Sequence, residues 1–208
     1  MEQTKIKDFL AKLLRELKSI SYVKPEDTPN IDLYMDQVIT FMDDQLESTK
    51  RYDTDKLLTK TMINNYTKNN LLPPPDKKKY SREHIFTLLF IYYYKNILSI
   101  SDIQSILNPL TEKYFGNDAP FNMQRIYEEV FQLEETETKK LLKDLGKKYS
   151  MAKNAFCDFP EEDREFLHYF SFICQLSFDI YLKKMVIEKT IDDLNSRMKK
   201  EQSDNTDI

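Results

Sequence analysis

TKTMINNYTKNNLLPPPDKKKYSR, Thr59 to Arg82, carries three prolines and three lysines between two helical segments. Thr59 suits an N-cap, because its hydroxyl can accept one of the first-turn N–H groups that lack an intrahelical partner. The spacing behind it predicts a short helix over residues 60–69, with Met62, Ile63 and Tyr66 turned inward. Asn69 and Asn70 stop that helix, since asparagine tolerates the left-handed backbone found at helix ends. Residues 71–75, LLPPP, cannot continue it: proline lacks a backbone donor and pushes the residue before it to extended geometry. After the lysines, Ser81 is placed to cap the next helix.

That next helix, expected over residues 82–96, decides the architecture. Ile85, Phe86, Leu88, Leu89, Phe90, Ile91, Tyr92 and Tyr93 fall on nearly every face. A helix apolar all round is buried all round, so it belongs at the centre of the molecule. Ser99 caps a further helix over residues 100–107, which Asn108-Pro109 should end. Another helix is expected from Asn122 to about Leu145, with Gly146 near its end. Pro160 opens the last, residues 161–199, where positions 166 to 198 repeat at alternating steps of four and three as a heptad seam. Its second half carries the expected dimer contacts: Ile180, Ile187, Ile191 and Leu194. The tail EQSDNTDI is expected to be disordered.

Toward the N-terminus, residues 5–20 read as a helix with Ile6, Leu10, Leu13, Leu17 and Ile20 on one stripe. A two-proline loop, residues 21–30, leads to a helix over residues 31–46, with Leu33, Val38, Phe41 and Met42 as core. The polar stretch 47–56 is irregular. The sequence therefore divides into an N-terminal helix and linker (1–30), a central domain (31–110), a C-terminal helical region for dimerisation (121–200) and a tail (201–208).

Composition agrees with an all-α fold. The 208 residues include two glycines, Gly116 and Gly146, and 40% hydrophobic residues. Tight hairpins and phosphate-cradling loops both lean on glycine, so a Gly-rich nucleotide loop is excluded. The start has neither the apolar run nor the cleavage site of a secretory signal, and no window is apolar enough to span a bilayer. Cys157 and Cys174 are then reduced thiols of a cytoplasmic protein. Residues 60–82 hold six basic side chains and one acid, Asp76. That is a window of +5 in a chain of formal net charge −4, leaving −9 elsewhere.

Residues 59–107 resemble the MerR-type winged helix-turn-helix. Thr59 takes the capping position of its second helix, Asn65-Tyr66 falls at the tyrosine pair, and Asn70-Leu71-Leu72-Pro73 at the Gly-Leu-Leu-Pro. Tyr80-Ser81 with Ile85 follows the wing, and Leu98-Ser99-Ile100-Ser101-Asp102-Ile103 matches the Phe-Ser-Leu-x-x-Ile element. From IDLYMDQV onward the pattern also looks like an uncharacterised family of bacterial cytoplasmic proteins described as regulators. The wing is shortened to DKKK and lacks Gly-Tyr-Arg. YDTDK precedes Thr59, so the first helix of the motif would be residues 31–46. About fifty residues separate the motif from the coiled-coil helix.

The resemblance implies a bacterial transcriptional regulator that binds double-stranded DNA as a homodimer. Thr61, Asn64 and Asn65 would contact bases or backbone from the recognition helix. Lys60, Lys68, Lys77, Lys78, Lys79 and Arg82 would clamp phosphates. Read from the residues alone, asparagine can pair with adenine in the major groove and lysine with guanine or phosphate. The aromatic residues 86–94, with Phe166, Tyr169, Phe170 and Phe172, either pack the core or line a small-molecule effector pocket. His84 and His168 have no Cys or His at ligand spacing, and EEDRE (161–165) is the acid-rich start of a helix, so neither metal, cofactor nor catalysis is expected. The rival reading is a helical protein-interaction or scaffold module whose helix-turn-helix no longer binds DNA.

Overall fold

The computed structural model describes residues 9, 11–17, 22–116 and 120–206, and is mostly helical. In chain order the described elements are α1 (residues 11–17), β1 (Leu33–Tyr34), α2 (Met35–Gln45), α3 (Lys60–Lys68), β2 (Lys79–Tyr80), α4 (Arg82–Tyr94), α5 (Ile100–Tyr114), α6 (Met123–Asn154) and α7 (Glu161–Thr206). Single 3-10 turns lie at Pro25–Asp27 and Glu47–Thr49. The remaining ends of the helix expected over residues 5–20 lie outside the described residues. No helix among the described residues is long and apolar enough to cross a membrane.

Two compact units emerge. The larger comprises Ser21–Gln132 with Glu188–Ile208, the smaller Met1–Ile20 with Leu133–Ile187. In the larger unit α4 is the axis: residues 84–92 are buried without interruption. Val38 and Met42 of α2, Ile63 and Tyr66 of α3, Ile103 and Leu107 of α5, and Met123 and Tyr127 of α6 share its core. Leu71 and Leu72 of the proline corner are each 1% exposed. At roughly 1.5–3 kcal/mol per fully buried large apolar side chain, this shared core dominates the stability of the unit.

The loop before β1 is stitched into the same core. Val23 is buried, its N–H donates to the Tyr93 hydroxyl (3.2 Å), and its carbonyl accepts from the Tyr127 hydroxyl (2.7 Å). These bonds satisfy tyrosine hydroxyls that burial would otherwise penalise. The long connection from α2 to α3 is pinned likewise. Lys95 Nζ donates to the Leu57 carbonyl at 2.6 Å, and Thr49 bonds the Tyr92 hydroxyl.

Several sequence expectations need correction. Residues 33–34 are strand, not helix: β1 pairs antiparallel with β2, Leu33 opposite Tyr80 and Tyr34 opposite Lys79. A two-residue strand is too short for the alternation that would reveal it. α5 does not end at Asn108-Pro109 but runs through Pro109 to Tyr114. Leu110 and Tyr114 continue the stripe of Ile103 and Leu107 against the core, and that packing outweighs the lost proline hydrogen bond. α6 likewise passes through Gly146 to Asn154, held by Leu145, Tyr149 and Ala152, which with Phe172 form the core of the smaller unit. A single glycine costs only about 1 kcal/mol in a helix. α7 extends to Thr206, so most of the expected disordered tail is helical. Extending an existing helix avoids the nucleation cost.

The seam on α7 is also divided. Ile180 is 64% exposed, and Ile187 and Leu194 are partly exposed, but Ile191 is 4% exposed and sits in the core of the larger unit. Ile191 therefore packs on its own chain and is not available to a partner.

His84 locks the first turn of α4. Its Nδ1 accepts from the Ser81 N–H at 2.9 Å, so the neutral ring carries its proton on Nε2, which lies 3.3 Å from the Pro74 carbonyl. Burial lowers its pKa below the ordinary 6.5, against the raising pull of the Pro74 carbonyl and Asp32. Above pH 6.5 the neutral ring costs nothing. As pH falls below 6.5 the unfolded chain takes up a proton that the folded chain resists, so stability declines. Thermal melts between pH 7.5 and 5 should show this decline. His84→Gln, which can complete the same capping box through its amide oxygen, should flatten it; an equal slope in the variant would remove His84 as its source.

Candidate nucleic-acid interface

The candidate surface is built by α3 and the turn that follows the proline corner. Thr59 caps α3, its hydroxyl accepting from Met62 N–H at 3.2 Å. Ile63 and Tyr66 anchor the inner face. Thr61, Asn64, Asn65 and Lys68 are spaced i, i+3, i+4 and i+7, which places them on one stripe, and all four are exposed. Among the described residues, the side chains of Thr61, Asn64 and Asn65 have no hydrogen-bond partner, so their donors and acceptors face solvent.

The end of α3 is fixed with equal care. Asn70 adopts φ 54°, the Leu71 N–H donates to the Tyr66 carbonyl (2.8 Å), and the Asn70 N–H donates to the Thr67 carbonyl (3.2 Å). This is a Schellman closure with asparagine in the left-handed position. From α5, Gln104 donates its amide to the Asn69 carbonyl. The direction in which α3 presents its outer stripe is thus set from inside the unit.

The lysine run forms a true reverse turn. Lys79 N–H donates to the Asp76 carbonyl at 2.7 Å, and Lys77 and Lys78 have φ of 46° and 68°. Positive φ at both central residues is the requirement of a type I′ turn, which normally takes Asn-Gly. The turn leads into β2, and β2 pairs with β1 at the start of α2. Two contacts tie this end of α2 to the candidate lysines. Lys60 Nζ lies 2.6 Å from Asp36 Oδ1, and Lys79 Nζ stands 5.5 Å from the Tyr34 ring centroid. The first turn of α2 therefore gathers Lys60 from α3 and Lys79 from the turn. Both members of the Lys60–Asp36 pair are well exposed, so it contributes little to stability and leaves Lys60 easy to recruit elsewhere.

Arg82 is placed differently. Its guanidinium donates to Asn30 Oδ1 (3.1 Å), Gln124 Oε1 (3.0 Å) and the Pro25 carbonyl, and stands over the Phe86 ring. It joins the N-terminal loop, α4 and α6: both terminal nitrogens are occupied within the protein, while the buried Nε has no hydrogen-bond partner. Sequence reasoning separated neither this inward arginine from the outward lysines, nor exposed Tyr34 from its strand. Arg82 is turned inward by Pro25, Asn30 and Gln124, 42 to 57 residues away in sequence, and Tyr34 lies in the two-residue β1; neither arrangement leaves a local periodic trace.

Other features narrow the chemistry. The aromatic residues of α4 pack in the larger unit, and Tyr149 and Phe172 pack in the core of the smaller one. The cavity lined by Tyr22, Phe90, Tyr93, Tyr94 and Tyr127 has about 20 Å³, room for one water at most. A wider, open cleft of about 540 Å³ lies beside α5, lined by polar groups including Asn70, Gln104, Asn108 and Asn195. Among the described residues no group of three or more His, Cys, Asp or Glu could hold a metal ion. Cys157 and Cys174 are exposed free thiols.

A family signature matches residues 23–130, more than half of the chain. The chain belongs to the family described as Domain of unknown function (DUF1836). The matched DUF1836 segment begins at buried Val23 and ends within α6, so it spans α2, α3, the lysine turn, α4 and α5. It nearly coincides with the continuous stretch Ser21–Gln132 of the larger unit. Comparisons with curated proteins and with solved structures find no match.

Two variants test the contrast between turn and staple. Lys77→Asn with Lys78→Gly should raise stability by about 1–2 kcal/mol, since lysine is strained at both positive-φ positions. Arg82→Ala should lower it by about 2–4 kcal/mol by unmaking several charge-assisted hydrogen bonds. Denaturant titration reads both; no loss in the Arg82 variant would return that residue to the free surface.

Proposed function

We propose that this DUF1836 chain is a double-stranded-DNA-binding transcriptional regulator of MerR-like, winged helix-turn-helix design. The observation that carries the reading is the outer stripe of α3: two asparagines and a threonine without internal partners, flanked by Lys60 and Lys68, on a helix whose opposite face is core. A polar stripe with free amides at helical spacing matches the donor and acceptor edges of the major groove. Asn64 and Asn65 are suited to adenine, and the flanking lysines to phosphate.

The order of parts supports the same reading. A first helix, a capped second helix, a two-residue turn returning to a short sheet, and a buried helix follow one another as the resemblance implies. Lys77, Lys78 and Lys79 occupy the wing position on a turn of fixed geometry. Preset lysines lose less entropy on engaging phosphates than lysines on a floppy loop. The acidic remainder of the chain disfavours docking by any other face. Arg82 is left out of the clamp, and Lys60, Lys68 and the three turn lysines remain.

Selection of genomic fragments by the full chain at low salt should enrich a discrete set of sites. Each phosphate contact contributes close to 0.9 to the salt slope. Lys77→Asn with Lys78→Gly should therefore reduce the slope by about 2 while the protein becomes more stable. Asn64→Ala should cost about 1–3 kcal/mol on the preferred site and little on random DNA. Absence of enrichment would leave the helical protein-interaction module as the reading, and an unchanged slope would remove the turn from the interface.

A further inference from the structure

Within the larger unit, the last turns of α7 lie beside α5 across the open cleft of about 540 Å³. The α5 wall is a single stripe: Ser101, Ser105, Asn108 and Glu112 stand at i, i+4, i+7 and i+11. All four are polar, on a helix whose other side places Ile103 and Leu107 in the core. The α7 wall supplies Asn195 and Lys199, one turn apart. Three features set these walls apart from ordinary solvated helix faces. Pro109 sits inside α5 and lines the cleft, and it has no N–H to give the Ser105 carbonyl one turn back. That backbone acceptor is released on the side of the helix where both residues meet the cleft. Asn108 carries a buried Oδ1 without a hydrogen-bond partner. Native proteins leave few buried polar atoms unpaired, and this amide is free to turn toward a ligand. Glu112 and Lys199, exposed on opposite walls, have no ion-pair partner among the described residues, and they do not pair with each other.

We infer that this cleft seats a small zwitterion of the α-amino-acid class. The ammonium group belongs on the α5 wall, where its three N–H donors find the Ser105 carbonyl, the Asn108 oxygen and the Glu112 carboxylate. The carboxylate belongs on the α7 wall, with Lys199 and the amide of Asn195 as donors. The cleft is wide enough for an amino acid with a side chain of any size, and lies within the range of small-molecule sites.

The division of charge between the walls selects this class over others. A phosphate or a nucleic-acid backbone would meet one lysine and be repelled by Glu112. A divalent cation needs more oxygen ligands of negative charge than a single carboxylate provides. No aromatic ring is among the lining residues, so a nucleobase has no platform to stack on. The seat also adjoins the closure of α3. Asn70 lines the same cleft, and Gln104, on its α5 wall, donates its amide to the Asn69 carbonyl. An occupied cleft therefore ties α5, the end of α3 and the last turns of α7 together, and opening of residues 69–72 becomes rarer. The seat is separate from the small aromatic cavity beside α4, and it stands whether or not the chain binds DNA.

Thermal melting of the full chain, without DNA, against each of the standard amino acids at about 10 mM tests the seat. At least one should raise Tm by about 2 °C or more. The N-acetyl and carboxamide derivatives of that amino acid, each lacking one charge, should leave Tm unchanged. Glu112→Gln and Lys199→Gln alter exposed positions and should keep the fold, and each should weaken calorimetric binding about 10-fold. Hydrogen exchange at Asn69, Asn70, Leu71 and Leu72 should slow when the amino acid is bound. A melt unmoved by every amino acid, equal shifts from the derivatives, full affinity in both variants, or slowed exchange only outside α5, residues 69–72 and the last turns of α7 would each overturn the proposal.

Discussion

The larger unit depends on one constraint: α4 has no side that can face water. Nine successive residues, from His84 to Tyr92, are buried, so every angular sector of the helix must be covered. α2, α3, α5 and the start of α6 each supply part of that cover, and even the loop at Val23 and the corner at Leu71-Leu72 are drawn in. Such a helix cannot fold first and be decorated later. Its faces are satisfied only when the surrounding elements are all present, which makes the unit cooperative as a whole.

The same constraint explains how a polar surface can be held in a defined direction. α3 has one buried face and one free face, and its ends are closed by Thr59 at the start and Asn70 at the finish. The lysine turn is fixed by pairing with the strand that opens α2, while its neighbour His84 ties the proline corner to α4. The side chains of the candidate surface are few and ordinary. What distinguishes them is that packed residues on the opposite side of each element determine where they point.

Much of this was legible in the sequence, because it rests on strong local signals. The caps at Thr59, Ser81 and Ser99, the stop at Asn69-Asn70, and the unbroken apolar run of α4 each have one simple physical reading. Local rules failed where tertiary packing overrode them. Pro109 and Gly146 sit inside helices because the apolar stripes on either side continue against a core, and that gain exceeds the local penalty. β1 was invisible because two residues cannot show a period, and Arg82 looked like one more outward cation because its partners Pro25, Asn30 and Gln124 are distant in sequence. Ile191 kept perfect heptad register with Ile180 and Ile187, yet it packs inward: periodicity reports which face of a helix is apolar, not what covers it.

α7 runs from Glu161 to Thr206 without a break. It bears exposed Phe166 and Phe170 near its beginning and buried Ile191 near its end. A continuous helix is stiff in torsion, because each turn is locked to the next by hydrogen bonds. Within the larger unit, Ile191 therefore sets the rotation of the last turns: turning them about the helix axis would withdraw Ile191 from the core it shares with α4.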